Sequence, residues 1–419
     1  MRKEKIAVVG LGYVGLPLAI ALAIAGFEVH GVETNPERRS KTEQGIDYIN
    51  NDGSLAVLVK DKHFFVYPSV FDLPDDTTAI FVCVPTPLTK NKEPDLLYIR
   101  NVISDIMSCL SFWKKKPLVA LESTTYPGTT EEVVLPILEA FGHKVGKDFN
   151  LVYSPERVDP GSKKWNLWNT PKVVGGITDK CRKRAMKYYK RIVKTVIPAS
   201  STRVAEMEKL YENAFRYVNI AFANEMADLC GKMGLDIWEV IRLAATKPYG
   251  FMPFTPGPGV GGHCIPIDPL YLTWKAREYD FRARLIEEAD EINSRRPYQT
   301  AGAVISLLNK RGKSPVNSKV LVVGVAYKPD SSDWRVSPAI KVMELLEGQG
   351  VSVEWLDYHI KPEELKYKYK SLPLCSYACV VICTNHKHFD CKKLFKDANL
   401  VLDTCNATEG IESENLYHL

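Results

Sequence analysis

The chain has 419 residues, 45% of them hydrophobic and 25% charged, an ordinary soluble composition with length enough for two or three domains. Its formal net charge of +5 is spread along the sequence with no basic arm, which argues against nucleic acid as a partner and for a small anionic ligand. Ten cysteines at irregular intervals exclude a disulfide framework and read as reduced thiols.

Arg2, Lys3 and Lys5, ahead of an apolar stretch reaching Ala23-Ile24-Ala25, imitate a secretory signal. Cleavage there would remove the strand and turn that follow, and the apolar run from Val14 to Phe27 falls short of the ~20 residues of a membrane span. The expectation is a cytoplasmic protein with no membrane insertion. Lys5 to Val9 is a short β-branched run, and Gly10-Leu11-Gly12-Tyr13-Val14-Gly15 then opens an apolar helix from Leu16 to Ala25. After Gly26, Phe27 to Val32 forms a second strand that delivers Glu33. Strand, glycine turn, helix and acid together make a dinucleotide-binding fingerprint. Gly10 serves the tight turn, Gly12 the approach of backbone amides to a pyrophosphate, and Gly15 the packing of helix on strand, with Tyr13 and Val14 in the same cofactor turn. Glu33 is expected on the ribose hydroxyls, where its charge favours NAD over NADP; Arg38, five residues later, is the competing signal.

Ala79 to Val84 reads as a strand ending at Pro85-Thr86-Pro87, and Leu118 to Glu122 as one ending at Ser123-Thr124-Thr125. Ligands of open parallel sheets lie beyond the carboxyl ends of the strands, so Pro85, Thr86 and Thr124 are expected to line the nicotinamide side; plain turn chemistry is the alternative. From Arg203 to Met233 the chain lacks proline and reads as one or two consecutive helices, either a central spine or subunit interface or an ordinary buried helix.

Gly259-Val260-Gly261-Gly262-His263-Cys264 follows, with Asp268 four residues after the cysteine. Glycines there let the backbone carry the sulfur close to a ligand, so Cys264 is the candidate nucleophile; His263 is not assigned as its base. Lys319 to Gly324 echoes the opening strand, and Val351 to Leu356 delivers Asp357 as the earlier strand delivers Glu33. Ala326, Tyr327 and Lys328 replace the later glycines, so phosphate recognition in this half would use side chains, for which Lys328 and Arg335 are suited. The fold expected is α/β, two Rossmann-like doubly wound parallel-sheet domains joined by a long central helical region. Boundaries fall near residues 200 and 300, with Lys310 to Ser318 as a polar linker: an NAD-binding domain over 1–200, a central helical domain with the cysteine loop over 201–300, and a C-terminal domain over 301–419. Cys375, Cys379, Cys383, His386, His388 and Cys391 crowd one segment, but their spacing is no zinc pattern, and Cys379 to Thr384 alternates as a buried strand does, so no metal is expected.

Gly10 to Gly15, Glu122 to Thr130, Tyr153-Ser154-Pro155-Glu156-Arg157-Val158-Asp159-Pro160-Gly161, Lys209-Leu210-Tyr211-Glu212-Asn213 and the Cys264 loop occur in that order, and with them the chain resembles the UDP-glucose/GDP-mannose dehydrogenase family over nearly its whole length. Pro248-Tyr249-Gly250-Phe251 followed by Pro256 to Pro269 is most similar to UDP-N-acetylglucosamine 6-dehydrogenases. Members acting on UDP-glucose carry an arginine ahead of this loop and another in the last strand region, where this chain has Lys247-Pro248-Tyr249 and Asp403-Thr404-Cys405-Asn406. UDP-N-acetylmannosamine, which differs at carbon 2, and UDP-glucose remain the alternatives.

The resemblance implies two successive hydride transfers to NAD that take a sugar's carbon-6 alcohol through an aldehyde to a carboxylate. An aldehyde gives up a second hydride only after a nucleophile adds to it, so Cys264 forms a thiohemiacetal and then a thioester that water cleaves. Lys209 and Asn213, at i and i+4, would face an oxygen that gains negative charge. Asp268 would hold and activate a water, Glu156 would assist thioester hydrolysis, and Thr124 would steady the same water network. Arg157, Tyr327 and Lys328, with Val158 and Gly261, are implied on the nucleotide-sugar side, and Arg335 on the cofactor pyrophosphate. A homodimer or larger homo-oligomer through the central helices is implied as well. Two rivals are a two-electron hydroxy-acid dehydrogenase, which needs Lys209 but not Cys264, and a catalytically silent nucleotide-sugar sensor.

Overall fold

A computed structural model describes residues 3–49, 53–158, 164–387, 389–390 and 397–419. Arg2 of the basic N-terminal cluster, Asp159, Pro160 and Gly161 of the Tyr153 motif, and His388 and Cys391 of the C-terminal cluster lie outside the described residues. The chain divides into two compact units, Met1–Glu212 with Trp274–Phe281, and Asn213–Thr273 with Arg282–Leu419.

The first unit is built on an eight-stranded sheet. Its strands are β1 (Lys5–Val9), β2 (Glu28–Val32), β3 (Phe64–Tyr67), β4 (Ala79–Val82), β5 (Leu118–Leu121), β6 (Asn150–Tyr153), β7 (Lys172–Gly176) and β8 (Val196–Pro198), in the spatial order β3-β2-β1-β4-β5-β6-β7-β8. Strands from β3 across to β6 pair in parallel, with Ile6 of β1 opposite Val29 on one side and Ala79 on the other. The order reverses at β1, and a doubly wound sheet binds ligands at that switch point. One pairing departs from the all-parallel expectation: β7 runs antiparallel to β6. The inner strands read as continuous apolar runs because helices cover both faces; Ile6 and Val8 pack with Leu16, Ala19 and Leu22 of the helix Gly15–Ile24.

The stretch read as one or two helices is a single helix, Thr202–Met233, of 32 residues and so about 48 Å long. Its first turns belong to the first unit and the rest to the second.

The second unit carries a six-stranded parallel sheet of β9 (Lys319–Val323), β10 (Ser352–Leu356), β11 (Lys368–Tyr369), β12 (Cys379–Ile382), β13 (Val401–Asp403) and β14 (Leu416–His418), in the order β11-β10-β9-β12-β13-β14. Side-chain alternation splits its core in two. Val320, Val322 and Val381 pack on Val304 and Leu308 of the helix Arg284–Lys310 and on Val342 and Met343 of the helix Pro338–Gly348. Leu321, Val323, Val380 and Ile382 pack with Tyr377 and Val401 on the opposite face. The helix Arg284–Lys310 runs unbroken across residue 300 and contains Pro297. No helix among the described residues is long and apolar enough to cross a membrane.

Candidate functional site

In the first unit the glycine turn leaves β1 at the switch point. Gly10 has φ +88°, and a Cβ on it would lie 2.7 Å from the Cys83 carbonyl oxygen, while one on Gly15 would lie 1.8 Å from that of Gly10. A Cβ on Gly12 would meet no protein atom within 4 Å, so packing within the chain does not demand glycine there, and the space in front of it is open to the close approach of a ligand. The helix that follows has Val14 at its N-cap with no side-chain cap bond, which leaves the cap position open to an anion, and Tyr13 beside it is exposed. Glu33, at the end of β2, is buried and accepts from the Leu11 N–H at 3.3 Å and the Asn35 N–H at 2.9 Å, which ties the acid to the turn. Arg38 is exposed in the first turn of the helix Pro36–Glu43, its N–H on Asn35 Oδ1. Pro85 is exposed after β4, and Thr86 and Thr124 are half-buried. Beside Thr124, Ser123 donates to the Val84 carbonyl at 2.8 Å and Thr125 bonds the Thr129 hydroxyl. These residues fit a dinucleotide: a cradle that a methyl would fill, an open helix N-terminus and a carboxylate for ribose.

Two carboxylates stand at the ends of neighbouring strands, Glu122 after β5, which is buried, and Glu156 after β6, which is half-buried. Lys172, the first residue of β7, reaches both, in contact with Glu122 Oε2 and 3.1 Å from Glu156 Oε2. Tyr189 donates to the other oxygen of Glu122. Glu156 Oε1 accepts the N–H groups of Arg157 at 2.7 Å and Val158 at 2.8 Å. Burial pushes the Glu122 carboxyl up, with Lys172 opposing. Burial acts the same way on Glu156, but Lys172 and the two amides outweigh it and hold that carboxyl below its usual range. Lys172 is kept protonated against its burial by the two acids. Nothing local in the sequence marks Lys172, because its partner Glu122 lies 50 residues away.

The long helix contributes Lys209 and Asn213 on one face, both buried. Glu206, one turn before Lys209, is a fully buried carboxylate that accepts from the Gly128 N–H (2.6 Å), the Thr130 N–H (2.8 Å) and the Thr130 hydroxyl (2.6 Å), pinning the loop after Thr125 to the helix. Its spacing of three residues from Lys209 is the signal that the sequence reading passed over. Arg157 is engaged by acids of the same helix: Glu208 at 3.2 Å, a second contact with Glu212, and a bond to the Pro171 carbonyl at 3.1 Å. Its guanidinium therefore ties the Glu156 loop to the helix in this structure.

In the second unit Cys264 is exposed, and its carbonyl accepts the N–H groups of Ile267 (3.1 Å) and Asp268 (2.9 Å), so the cysteine is folded onto the start of the helix Asp268–Ala276. Of the other described cysteines only Cys375 is exposed. Asp268 is buried, and Asn213 donates its side-chain N–H to Asp268 Oδ2, so the amide expected to face a reacting oxygen orients this carboxylate. Space, more than backbone freedom, explains Gly261: a Cβ there would lie 2.7 Å from Tyr327 Cβ and 2.8 Å from the Val336 carbonyl oxygen. The cysteine loop thus packs directly on Tyr327, over whose ring Lys328 Nζ sits 5.7 Å from the centroid. Arg335 grips Asp333 with two parallel bonds of 2.9 Å, and His263 lies 3.7 Å from the same acid. Burial and the Arg335 charge lower the His263 pKa.

The second glycine turn differs from the first in what its acid does. Asp357 Oδ2 accepts from Val325 N–H (2.8 Å) and Ala326 N–H (3.0 Å) and from His386 Nε2 (3.0 Å), and Oδ1 from the His359 N–H (2.9 Å). A carboxylate so occupied holds the turn together and is not placed for a ribose. Asp330, His359 and His386 form the one cluster of metal-type donors among the described residues. His386 Nδ1 accepts the Asp330 N–H at 3.0 Å while Nε2 faces Asp357, so its ring has no lone pair left for a cation. Cys379 and Cys383 are buried in and after β12, their thiols pushed up to about 12 by burial.

Sequence models of the UDP-glucose/GDP-mannose dehydrogenase family match three successive stretches: its NAD binding domain over residues 4–193, its central domain over 203–295 and its UDP binding domain over 321–410. A UDP-N-acetyl-D-mannosamine dehydrogenase of Methanococcus maripaludis is 34% identical over 403 residues, covering 94% of this chain and 88% of the relative. One from Escherichia coli is 38% identical over 352 residues, covering 81% and 82%. Among solved structures, a UDP-D-ManNAc dehydrogenase from Pyrococcus horikoshii superposes with a TM-score of 0.89 at 32% identity, covering 99% of this chain and 98% of that one.

Proposed function

The chain belongs to the UDP-glucose/GDP-mannose dehydrogenase family and is an NAD-dependent oxidoreductase, and from that premise we propose that it oxidises carbon 6 of UDP-N-acetylmannosamine to the uronic acid. The relatives named above support the manno configuration better than the gluco one that the loop residues favoured. The observation that carries the chemistry is the exposed Cys264 thiol, folded by its own carbonyl onto the helix start where Asn213 orients the buried Asp268.

Bound NAD supplies hydride acceptance, twice per sugar. Asp268 takes the alcohol proton directly or through a water, and Lys209 stabilises the oxygen that turns anionic. Cys264 adds to the aldehyde carbon; the thiohemiacetal is oxidised to a thioester, and water then replaces sulfur. Glu156 receives the proton of that water, with Thr124 steadying it. Tyr327 and Lys328 bind the nucleotide-sugar with Val158 and Gly261, and Arg335 is the candidate for the cofactor pyrophosphate, which requires it to leave Asp333.

A homodimer belongs to this reading, supported by an exposed apolar stripe on the long helix: Met207, Tyr211, Phe215, Phe222, Leu229 and Met233 recur at spacings of four and seven on one face. So does a cytoplasmic location, where thiols such as Cys264 stay reduced. The test is NADH yield with UDP-N-acetylmannosamine, UDP-N-acetylglucosamine, UDP-glucose and UDP-galactose. Two NADH per sugar with the manno substrate leading is expected; one NADH per sugar, or an unimpaired Cys264→Ala variant, refutes the mechanism, and equal rates on all four refute the substrate.

A further inference from the structure

We infer that Lys172 is a positioning residue for the hydrolytic step: held between Glu122 and Glu156, its ammonium keeps the Glu156 carboxylate ionised and leaves one of its lone pairs to receive a proton. This rests on the reading that Glu156 assists thioester hydrolysis. Lys172 is 3% exposed at its side chain, Glu122 0% and Glu156 15%, so the triad is nearly dry and only Glu156 has an opening to a substrate or water. Two carboxylates cannot both stay charged in such a place without a cation between them. The Tyr189 hydroxyl takes up the second oxygen of Glu122, and Lys172 Nζ lies 5.5 Å from the Tyr189 ring centroid, which closes the far side of the cluster.

Counting lone pairs shows what remains for chemistry. Glu156 Oε1 accepts two amides and is saturated; among the described residues Oε2 accepts Lys172 alone, which leaves one of its lone pairs. The environments push the two acids apart, Glu122 upward by burial and Glu156 downward as Lys172 and the amides overcome burial, the pattern by which an enzyme assigns one of two carboxyls as the base. In the step itself, water oxygen bonds to the thioester carbon, the C–S bond breaks with its electron pair leaving on Cys264 sulfur, and Glu156 Oε2 takes the water proton and passes it to solvent.

Among the described residues, the charged and titratable groups around Glu156 are Lys172 of β7, Glu122 after β5, Cys83 after β4 and Arg157 in its own loop, with Tyr189 of the helix Asp179–Tyr189 beyond Glu122. The thiol of Cys83 is pushed well up, by burial first, and the Tyr189 hydroxyl likewise, so both stay neutral in the working range. Losing Lys172 exposes Glu156 to burial and to Glu122, raising its pKa, so the base form survives only at higher pH.

The experiment mixes enzyme, NAD and the best sugar substrate, quenches with acid and weighs the intact chain, alongside kcat against pH. Lys172→Met is expected to accumulate acyl-enzyme on Cys264, to lose roughly 10- to 100-fold in kcat near neutrality and to recover as pH rises, its acid limb displaced upward; Lys172→Arg retains most activity. Glu122→Gln, which removes the competing acid, is expected to move the acid limb down. Absence of that downward shift overturns the inference even where Lys172→Met fails to fold. Acyl-enzyme in Glu156→Gln but not in Lys172→Met overturns it while sparing the role of Glu156; no acyl-enzyme in Glu156→Gln removes that role and the inference together.

Discussion

Single atoms decide several outcomes. Asn213 is the buried donor to Asp268, so Asn213→Ala leaves that carboxylate short of a partner at a cost of about 1–3 kcal/mol, and kcat is expected to fall about 10- to 100-fold with KM changing less. Two glycines separate packing from ligand approach. Gly261→Ala forces its methyl against Tyr327 and the Val336 carbonyl and is expected to lower stability by about 1–3 kcal/mol, read from denaturant unfolding. Gly12→Ala meets no protein atom, so its stability is expected within about 0.5 kcal/mol of the parent while NAD affinity drops tenfold or more; unchanged affinity would remove the pyrophosphate from this turn. Cys264, Asp268 and the first glycines were legible because each stands in one short, chemically odd segment. Lys172 and Asp333 were not, since their importance lies in partners brought close by folding.

Elements built from local signals were read well: β1, the glycine turn and the first helix carry their strand, turn and helix cues within thirty residues. β6 to β8 went unread because apolar runs as short as Leu151-Val152-Tyr153, Val173-Val174 and Val196-Ile197 fit a strand or a buried helix alike, and the helix Arg284–Lys310 runs across the boundary placed near residue 300. Between elements, Glu206 is the clearest joint, binding the long helix to the Gly128–Thr130 loop. Burial pushes its carboxyl up to about 7, above the ordinary 4.5, so its contribution to stability is complete below pH ~4.5 and lost as pH rises through ~7. Glu206→Gln abolishes that titration and turns an amide toward donors, at about 1–3 kcal/mol. The parent's unfolding midpoint is expected to fall more steeply from pH ~5 to ~8 than the variant's; equal slopes would mean that Glu206 does not titrate in this window.

For the whole molecule, the doubled glycine turn was visible as a repeat, and the different work of its second acid was not, because Asp357 acquires His386 and two amides only on folding. The apolar stripe of the long helix was equally hidden, since the same residues suit a buried helix and an exposed one. If a second copy covers it, Phe222→Asp with Leu229→Asp is expected to reduce the sedimenting species to a single chain while each chain stays folded; an unchanged mass would place the subunit contact elsewhere.

The uneven exposure of the thiols has a practical corollary. Among the described cysteines an alkylating reagent such as iodoacetamide meets Cys264 and Cys375 first, so loss of turnover should track labelling of Cys264 one for one and count the competent molecules in a preparation, with Cys375→Ser removing the other exposed described thiol. By the same access, peroxide would convert that sulfur to a sulfenic acid and silence the enzyme until a reductant restores it, making ageing in air a reversible loss.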